Sequence, residues 1–238
     1  MMAVILAGGR GTRLAPLTVT VPKPLLPLGD ESILEIVLAQ LKAAGFDRVV
    51  ITLGHMAKLF AAVIGDGSRW GMRVDYVFEQ APLGTAGPLR HIADLEADFL
   101  VMNGDILTTL DYRQLFAFHR EKQALGTIAV TQRTVNIDYG VITALPNAQL
   151  AHYHEKPSIH YAVSMGINVL SKQCLAHIPK DSKFDMPDLM MAMHHKEQRV
   201  FCYATNCYWQ DIGRMEDYDA ACADYQHEPQ RFVPPGRA

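Results

Sequence analysis

Glycines and cations near the start of the chain form a pattern that suits phosphate binding. The apolar run at residues 3–7 leads directly into the glycine-rich segment 8–13, with the sequence GGRGTR, and Pro-Lys-Pro follows at 22–24. Glycines let the backbone turn tightly and bring its N–H groups against a ligand without interference from Cβ atoms. Arg13 and Lys23 add fixed positive charge for phosphate oxygens. The pattern therefore predicts a loop that cradles a triphosphate.

The spacing of these residues excludes two common glycine loops. A P-loop requires Gly-x4-Gly-Lys followed by Ser or Thr, whereas Lys23 has a proline on each side. A dinucleotide fingerprint requires Gly-x-Gly-x-x-Gly, and Leu14 stands where the last glycine would be. A carboxylate is the next candidate: Asp105 follows the apolar run 99–102 and is predicted to lie at the carboxyl end of a strand, where α/β ligand sites form.

Two segments carry a resemblance to a known family. Residues 6–14 (LAGGRGTRL) and 22–24 (PKP) match the N-terminal signature of the sugar-phosphate nucleotidyltransferases, or nucleoside-diphosphate-sugar pyrophosphorylases. Further matches follow in order to about residue 225, so the chain resembles this family along nearly its whole length. The resemblance implies a glycosyltransferase-A-like fold and a catalytic domain without an acyltransferase or regulatory module.

The reaction that the resemblance implies joins a nucleoside triphosphate to a sugar 1-phosphate and releases pyrophosphate. The sugar phosphate oxygen attacks the α-phosphorus in line with the leaving group. A phosphate monoester, with its second pKa near ~6, is already ionised at neutral pH, so the nucleophile needs no general base. We expect positioning and charge neutralisation to dominate, with Arg13, Lys23 and Asp105 as the catalytic residues.

The resemblance also implies which residues contact the nucleotide. The loop 79–87, with the sequence EQAPLGTAG, follows a predicted strand and precedes a predicted apolar helix through Leu95. In the family this loop contacts the base, and its form here leans away from thymidylyl transfer. We expect Gln80 and Gly84 at the base and Thr85 at the helix N-cap. The full set of implied nucleotide contacts is Leu6, Ala7, Gly8, Gly9, Gly11, Thr12, Gln80, Gly84, Thr85 and Asn103.

Magnesium is the cofactor that the resemblance implies. The family holds it with the aspartate corresponding to Asp105 and with a second one in a Trp-x-Asp-x-Gly segment, which here is residues 209–213 and gives Asp211. Two carboxylates completed by phosphate oxygens suit Mg²⁺, because this hard cation binds few protein ligands.

Three further segments match the sugar-phosphate side of the family. The resemblance implies that Gly140 approaches the pyranose, that Glu155 binds sugar hydroxyls and that Lys156 binds the phosphate. A segment that commonly has the sequence Asn-Ala-Gly-Ile-Tyr corresponds to 164–168 here, where Asn168 stands in place of the aromatic residue. That departure leaves the identity of the sugar open.

The elements that position these residues follow from the hydrophobic pattern. Short β-branched runs alternate with helix-like segments, which predicts a Rossmann-like, mostly parallel mixed α/β sheet flanked by helices. We expect one domain over residues 1–227, with a nucleotide half at about 1–131 and a smaller, sugar-binding sheet region at 132–227. The proline-rich tail 228–238 is expected to be loosely ordered. Strands are predicted at 3–7, 48–53, 73–78, 99–102, 127–131, 140–144, 149–155, 166–170 and 200–204, and helices at 111–123, 186–196 and 215–225. A further helix is predicted to begin after Ser32, which has capping-box spacing to Glu35, and to end at Gly45.

Composition restricts the classes of partner. The net charge of −3 argues against a general nucleic-acid binder. No apolar run is long enough for a membrane span and no signal peptide is evident, so we expect a cytoplasmic protein. The four cysteines show no Cys-x-x-Cys pair and are expected to be unlinked, and the ten histidines show no spacing typical of a metal site. Dimers or tetramers are usual in the family, which leaves a homo-oligomer open.

Several functional hypotheses follow. Overall likeness favours guanylyl transfer to mannose 1-phosphate. Uridylyl transfer to a glucose-type, amino-sugar or N-acetylmuramic acid 1-phosphate, guanylyl transfer to a heptose phosphate, and transfer onto phosphocholine remain alternatives. A catalytically inactive nucleotide-sugar sensor is the hypothesis from a different class, although the presence of Arg13, Lys23, Asp105 and Asp211 argues against it.

Overall fold

A computed structural model describes residues 1–9, 11–54 and 56–232 of the chain. Strands and helices alternate along it, which confirms the predicted α/β class. The strands are β1 (Met2–Ala7), β2 (Pro27–Leu28), β3 (Glu31–Ser32), β4 (Arg48–Leu53), β5 (Arg73–Phe78), β6 (Asp98–Asn103), β7 (Ile106–Thr108), β8 (Gly126–Asn136), β9 (Val141–Ala144), β10 (Leu150–His154), β11 (Ser158–Ser171), β12 (Val200–Ala204) and β13 (Trp209–Asp211). The helices are α1 (Ile33–Ala43), α2 (Ala57–Ile64), α3 (Tyr112–Glu121), α4 (Met186–His195), α5 (Met215–His227) and α6 (Pro229–Phe232).

The central sheet has the order β12-β8-β11-β6-β1-β4-β5 within the described part of the chain. Strands β6, β1, β4 and β5 are parallel to one another, and β12 is parallel to β8. Strand β11 runs antiparallel to both of its neighbours, β6 and β8. The predicted mostly parallel mixed sheet is therefore confirmed, and the carboxyl ends of β1, β4 and β6 lie at one edge.

Helix α1 shows how local sequence sets these elements. The Ser32 hydroxyl accepts a hydrogen bond from the backbone N–H of Glu35, and the Glu35 carboxylate accepts one from the backbone N–H of Ser32. This predicted capping box satisfies N–H groups that would otherwise lack partners at the helix start. Leu34, Val37 and Leu38 then pack in the core, and Gly45, with φ +93°, follows the helix end.

The segment after the loop 79–87 differs from the sequence prediction. In place of a helix through Leu95, residues Gly87–His91 form a short 3₁₀ helix. Pro88 lacks an N–H group and Asp94 adopts a positive φ of 54°, and both features oppose a longer α-helix. Leu89 and Leu95 are nevertheless buried, so the apolar pattern that suggested a helix is satisfied by packing alone.

Two strands extend well beyond their predicted limits. Strands β8 and β11 continue as a long antiparallel pair, which pairs Asn136 with Ser158 at its end. The chain between β8 and β11 forms the hairpin of β9 and β10, whose residues are largely exposed. We call residues 131–164 the arm, because they are largely exposed and the strands among them pair with each other.

The C-terminal segment is only partly as expected. Residues 229–232 form α6 instead of a loose tail, because Phe232 is buried between the rings of Tyr208 and Tyr225. The Gln40 side chain also donates a hydrogen bond to the Phe232 carbonyl at 2.9 Å. Residues 233–238 lie outside the described part of the chain. Within that part, no helix is both long and apolar enough to span a bilayer.

Candidate active site

A cavity of about 580 Å³ opens at the carboxyl ends of β1, β4 and β6. This is the edge at which parallel α/β sheets form ligand sites. Eight residues predicted to contact the nucleotide or to act in catalysis line it: Leu6, Gly8, Gly9, Gln80, Gly84, Thr85, Asn103 and Asp105. Thr52, Gly54, Glu79, Ala81 and Pro82 complete the lining. Ala7 is buried in the sheet, and Gly11 and Thr12 lie outside this lining.

The glycine loop turns where the sequence predicted that it would. Gly11 has φ +63° and precedes a short 3₁₀ turn, Thr12–Leu14, which carries the exposed side chain of Arg13. The Thr18 hydroxyl donates a hydrogen bond to the Gly11 carbonyl at 2.8 Å and fixes the turn. A Cβ atom at Gly11 would lie 3.1 Å from Thr18 and 3.3 Å from Lys23, so the loop packs closely at this glycine.

Lys23, which was predicted to contact phosphate, is paired with a carboxylate of the site. Its side chain is buried, and Nζ forms an ion pair with Oδ2 of Asp105. The other carboxylate oxygen of Asp105, Oδ1, is buried and has no hydrogen-bond partner among the described residues. A buried carboxylate oxygen normally has a partner, so this oxygen is available to a ligand of the site.

A small antiparallel sheet, absent from the sequence prediction, brings the second aspartate to the first. Strand β13 pairs with β7 so that Asp211 lies opposite Ile106, and the backbone N–H of Ile212 donates to the Asp105 carbonyl at 3.1 Å. Burial raises the pKa of the Asp211 carboxyl, and the Asp105 charge raises it further against the opposing effect of Lys23 and Arg13. The two carboxylates predicted as metal ligands are therefore close enough to interact electrostatically.

Three charged side chains lie close to Gly213. A Cβ atom there would lie 3.5 Å from the carboxylates of Asp211 and Asp217 and 3.7 Å from Nη1 of Arg13. Asp217 itself accepts hydrogen bonds from the Gln210 side chain and from the backbone N–H of Arg214. Arg13 thus lies beside Asp211, where its guanidinium can neutralise phosphate charge.

The residues present suit a hard divalent cation. Residues 1–9, 11–54 and 56–232 contain no cluster of three or more His, Cys, Asp or Glu side chains with metal-binding geometry. Two neighbouring carboxylates, one with an unpartnered oxygen, are what Mg²⁺ requires when substrate oxygens and water complete its shell. Asp105 and Asp211 therefore fit the predicted metal.

Thr85 forms hydrogen bonds at the start of the distant helix α4. Contrary to the prediction, it does not cap the segment that follows it in sequence. Its N–H donates to Asp185 at 3.0 Å, and its hydroxyl accepts from the backbone N–H of Met186 at 2.6 Å. Gly84 adopts φ +80°, and a Cβ atom there would lie 2.6 Å from both the Phe184 carbonyl and the Asp185 carboxylate. The loop is consequently held against the start of α4, and only glycine fits this close approach.

Glu79 is a cavity residue that the sequence analysis missed. It follows β5 directly, and one carboxylate oxygen accepts a hydrogen bond from the Leu83 N–H at 3.1 Å. The other lies over the glycine loop, because a Cβ atom at Gly8 would come within 2.7 Å of it. Burial raises the pKa of Glu79. Its place at a strand end, like that of Asp105, was the available signal, whereas the neighbouring Gln80 is exposed.

A second cavity of about 490 Å³ adjoins the first, and we call it the acceptor cavity. Leu6, Thr85 and Asn103 line both cavities, and Asp211 lines the acceptor cavity. The remaining lining residues are Ile106, Ile128, Ser164, Met165, Gly166, Asn168, Met186, Pro187, Met190, Met191 and Trp209. The predicted sugar contact Asn168 is buried here, and its Oδ1 has no hydrogen-bond partner among the described residues.

The other predicted sugar contacts lie outside both cavities. Gly140 and Glu155 are neighbours, since a Cβ atom at Gly140 would lie 3.0 Å from the Glu155 carboxylate, which also accepts from the Tyr153 hydroxyl. Lys156 is exposed and has a positive φ of 44°. These three residues belong to the arm and do not line the acceptor cavity in this conformation.

Comparison with known proteins identifies the family. The nucleotidyl transferase family profile matches residues 2–228. A UTP–glucose-1-phosphate uridylyltransferase of Synechocystis is 32% identical over 92% of this chain and 61% of that protein. A mannose-1-phosphate guanylyltransferase of Mycobacterium tuberculosis is 31% identical over 93% of this chain and 64% of that protein.

The chain therefore spans somewhat less than two thirds of these two relatives. Among solved structures, HddC from Yersinia pseudotuberculosis is similar with a TM-score of 0.72 and 26% identity, covering 94% of this chain and 99% of that one. HddC was also solved in complex with GMP-PN. The profile match over nearly the whole length shows that this chain belongs to the nucleotidyl transferase family.

Proposed function

We propose that this protein transfers a nucleotidyl group from a nucleoside triphosphate to a sugar 1-phosphate, with GTP and mannose 1-phosphate as its substrates. The observation that carries the proposal is the pair of adjoining cavities that share Leu6, Thr85 and Asn103. Asp105 lines the first of these cavities and Asp211 lines the acceptor cavity. Two substrates can therefore meet at these carboxylates.

Each residue then has a defined task. Gly8, Gly9 and the turn at Gly11 hold the triphosphate, and Arg13 neutralises charge on its phosphates. Lys23 fixes Asp105 through their ion pair, which leaves the second oxygen of Asp105 free for its ligand. Asp105 and Asp211 would hold Mg²⁺, which supplies charge stabilisation for the transferring phosphoryl group when bound. The sugar phosphate oxygen forms the new bond to the α-phosphorus as pyrophosphate leaves.

Glu79 supports guanine as the base. A carboxylate offers only acceptors, and the Watson–Crick edge of guanine presents two adjacent donors, N1–H and the N2 amino group. Uracil presents one donor flanked by two carbonyl oxygens, which an ionised carboxylate would repel. The side chain lies in the first cavity, which we call the nucleotide cavity, and its orientation is fixed by the Leu83 N–H. The structural neighbour HddC was solved with the guanine nucleotide GMP-PN, which supports the same choice of base.

The choice of mannose rests on the relatives. Several of the curated relatives are mannose-1-phosphate guanylyltransferases from organisms as different as Mycobacterium tuberculosis and Schizosaccharomyces pombe, at 31% and 30% identity. The uridylyltransferase relative makes glucose 1-phosphate with UTP the principal competing pair.

The proposal is tested by measuring pyrophosphate release with Mg²⁺ for GTP, UTP, CTP, ATP and dTTP. Each is crossed with the 1-phosphates of mannose, glucose, glucosamine, N-acetylglucosamine, N-acetylmuramic acid and heptose, and with phosphocholine. A maximum at GTP and mannose 1-phosphate is the expected result. A maximum at another pair would identify that pair as the substrates in place of GTP and mannose 1-phosphate. Nucleotide binding without any turnover would support the sensor hypothesis instead.

A further inference from the structure

One wall of the acceptor cavity consists entirely of apolar side chains. Four residues of helix α4 form it, and we call them the methionine wall: Met186, Pro187, Met190 and Met191. Met165 and Trp209 continue this apolar surface. A sugar that presented only hydroxyl groups would leave this wall without a matching surface.

The polar groups of the cavity lie elsewhere. Thr85 and Asn103 stand at the junction with the nucleotide cavity, Asp211 lies on β13, and Ser164 and Asn168 belong to β11. Helix α4 contributes none of them. Hydroxyl groups of a bound sugar can therefore find partners at the junction and along β11, whereas a group that faces α4 cannot.

The backbone and ring polar atoms near the methionine wall are already engaged. The Met186 N–H donates to the Thr85 hydroxyl, and Pro187 has no N–H to offer. The Trp209 Nε1–H donates to the Met165 carbonyl at 2.9 Å, so its indole presents only apolar atoms to the cavity. A sugar hydroxyl that faced this wall would lose water without gaining a protein partner, which is unfavourable.

The charge of the lining restricts the sugar further. Among the described residues that line the acceptor cavity there is no Lys, Arg or His, and Asp211 is the one ionisable side chain. A sugar that carried its own carboxylate, such as a uronic or muramic acid, would meet no compensating cation there. The lining favours a neutral sugar with one projecting apolar group.

We propose that the acceptor cavity also takes 6-deoxyhexose 1-phosphates, at least as readily as mannose 1-phosphate, with the C6 methyl group against the methionine wall. C6 is the exocyclic carbon of a hexopyranose, and removal of its hydroxyl leaves a methyl group that projects from the ring. This inference rests on the proposed function and keeps its chemistry: the sugar phosphate oxygen bonds to the α-phosphorus and pyrophosphate leaves. Methionine side chains are flexible enough to pack closely around such a group.

The test compares 6-deoxymannose 1-phosphate with mannose 1-phosphate, which differ by one hydroxyl group. We expect kcat/KM for the deoxy compound to equal or exceed that of the parent by up to about tenfold, because the wall offers the hydroxyl no partner. A lower kcat/KM for the deoxy compound than for mannose 1-phosphate would overturn the inference, since a site that hydrogen-bonds a hydroxyl rejects the analogue that lacks it. N-acetylmannosamine 1-phosphate as the best acceptor would also overturn it, because another methyl group would then occupy the wall.

Two variants test whether the methionine wall causes the preference for the deoxy compound. Met191 is about half exposed at the cavity, so Met191→Gln is expected to fold and to reduce the deoxy-to-parent ratio about threefold to tenfold. Met215→Gln is the matched control, because Met215 is similarly exposed and lines neither cavity. An unchanged ratio in Met191→Gln, or an equal change in Met215→Gln, would contradict the assignment.

Equilibrium binding separates this inference from the proposed function. Both sugar phosphates are titrated into the full chain in the presence of the α,β-methylene analogue of GTP, whose P–C–P bridge cannot be cleaved by the transfer. Tighter binding of the deoxy compound without turnover would support the contact between the methyl group and the methionine wall. The same result would contradict the proposed transfer reaction. Transfer to mannose 1-phosphate with weak binding of the deoxy compound would support the transfer and refute the wall.

Discussion

Lys23 pairs with only one of the two carboxylate oxygens of Asp105. The lysine ammonium group is paired with Oδ2, whereas Oδ1 is buried and unpartnered among the described residues. The ion pair holds the side chain in one orientation, and because Lys23 is itself buried, solvent does not weaken the pair strongly. Asp105 is therefore positioned by one oxygen and available to its ligand through the other.

Replacing Asp105 by Asn is expected to abolish most of the turnover while the fold persists. The amide keeps the shape of the side chain but removes the charge that would hold Mg²⁺ and leaves Lys23 without its counter-ion. We expect pyrophosphate release to fall by about 10²- to 10³-fold, as for the loss of a principal electrostatic group. Asp219→Asn, at an exposed position on α5, is the control. Near-normal turnover in a folded Asp105→Asn protein would refute the metal role.

Arg13 is expected to act on the phosphates and to be dispensable for folding. Its side chain is exposed and lies beside the carboxylates near Gly213, so Arg13→Ala removes no core contact. We expect a loss of about 10²-fold or more in kcat/KM, with partial recovery in Arg13→Lys, because lysine restores the charge but not the two-pronged hydrogen bonding. Steady-state kinetics at saturating Mg²⁺ measures this, with Arg214→Ala as a nearby charge control. Equal losses in the two alanine variants would point to general electrostatics instead.

Local signals in the sequence predicted several elements of the candidate site. The glycine loop, the strand end that precedes Asp105 and the cap of α1 depend on residues that are close in sequence, and the structure contains each of them. Helix α2 gave no comparable signal, since Met56 at its N-terminus adopts a left-handed conformation without a side-chain cap. Short-range patterns therefore predicted the elements that have short-range causes.

Contacts between distant residues were the part that sequence could not supply. The Lys23–Asp105 pair joins residues 82 positions apart, and the Thr85–Met186 hydrogen bond joins residues 101 positions apart. Glu79 comes to lie over Gly8 only because β5, β4 and β1 are neighbours in the sheet. Side-chain partners at such separations follow from sheet order and register, which periodicity does not encode.

Glu79 is expected to select the base. Glu79→Gln replaces one acceptor oxygen by a donor, which opposes the N1–H and N2 amino groups of guanine. We expect the preference for GTP over ITP, which lacks the N2 amino group, to fall by about 10-fold or more, since hydrogen bonds to charged groups are worth about 1.5–3 kcal/mol. Competition between the two nucleotides measures the ratio. The parallel variant Gln80→Ala tests the base contact predicted from sequence, and a larger loss there than in Glu79→Gln would restore that prediction.

Glu35 is expected to make the stability of the protein pH-dependent. Burial raises the pKa of its carboxyl, but hydrogen bonds from Ser32 and the Arg69 guanidinium, 2.6 Å away, outweigh burial and lower the pKa below its ordinary value. A lowered pKa in the folded state means that ionised Glu35 stabilises the fold above the unfolded pKa of about 4.3. That contribution disappears as the pH falls through the folded pKa.

Urea unfolding of Glu35→Gln at several pH values tests this dependence. At pH 7 the substitution removes the charge from a buried capping box and from its pairing with Arg69, and we expect a loss of about 1–2 kcal/mol in the free energy of unfolding. As the pH falls below the unfolded pKa of about 4.3 and through the lowered folded pKa, the wild-type carboxyl becomes protonated, so the difference between the two proteins should shrink. Glu121→Gln, at an exposed side chain, should show almost no difference at either pH. A loss of the same size at pH 7 and pH 3 would show that side-chain shape, and not the charge of Glu35, stabilises the start of α1.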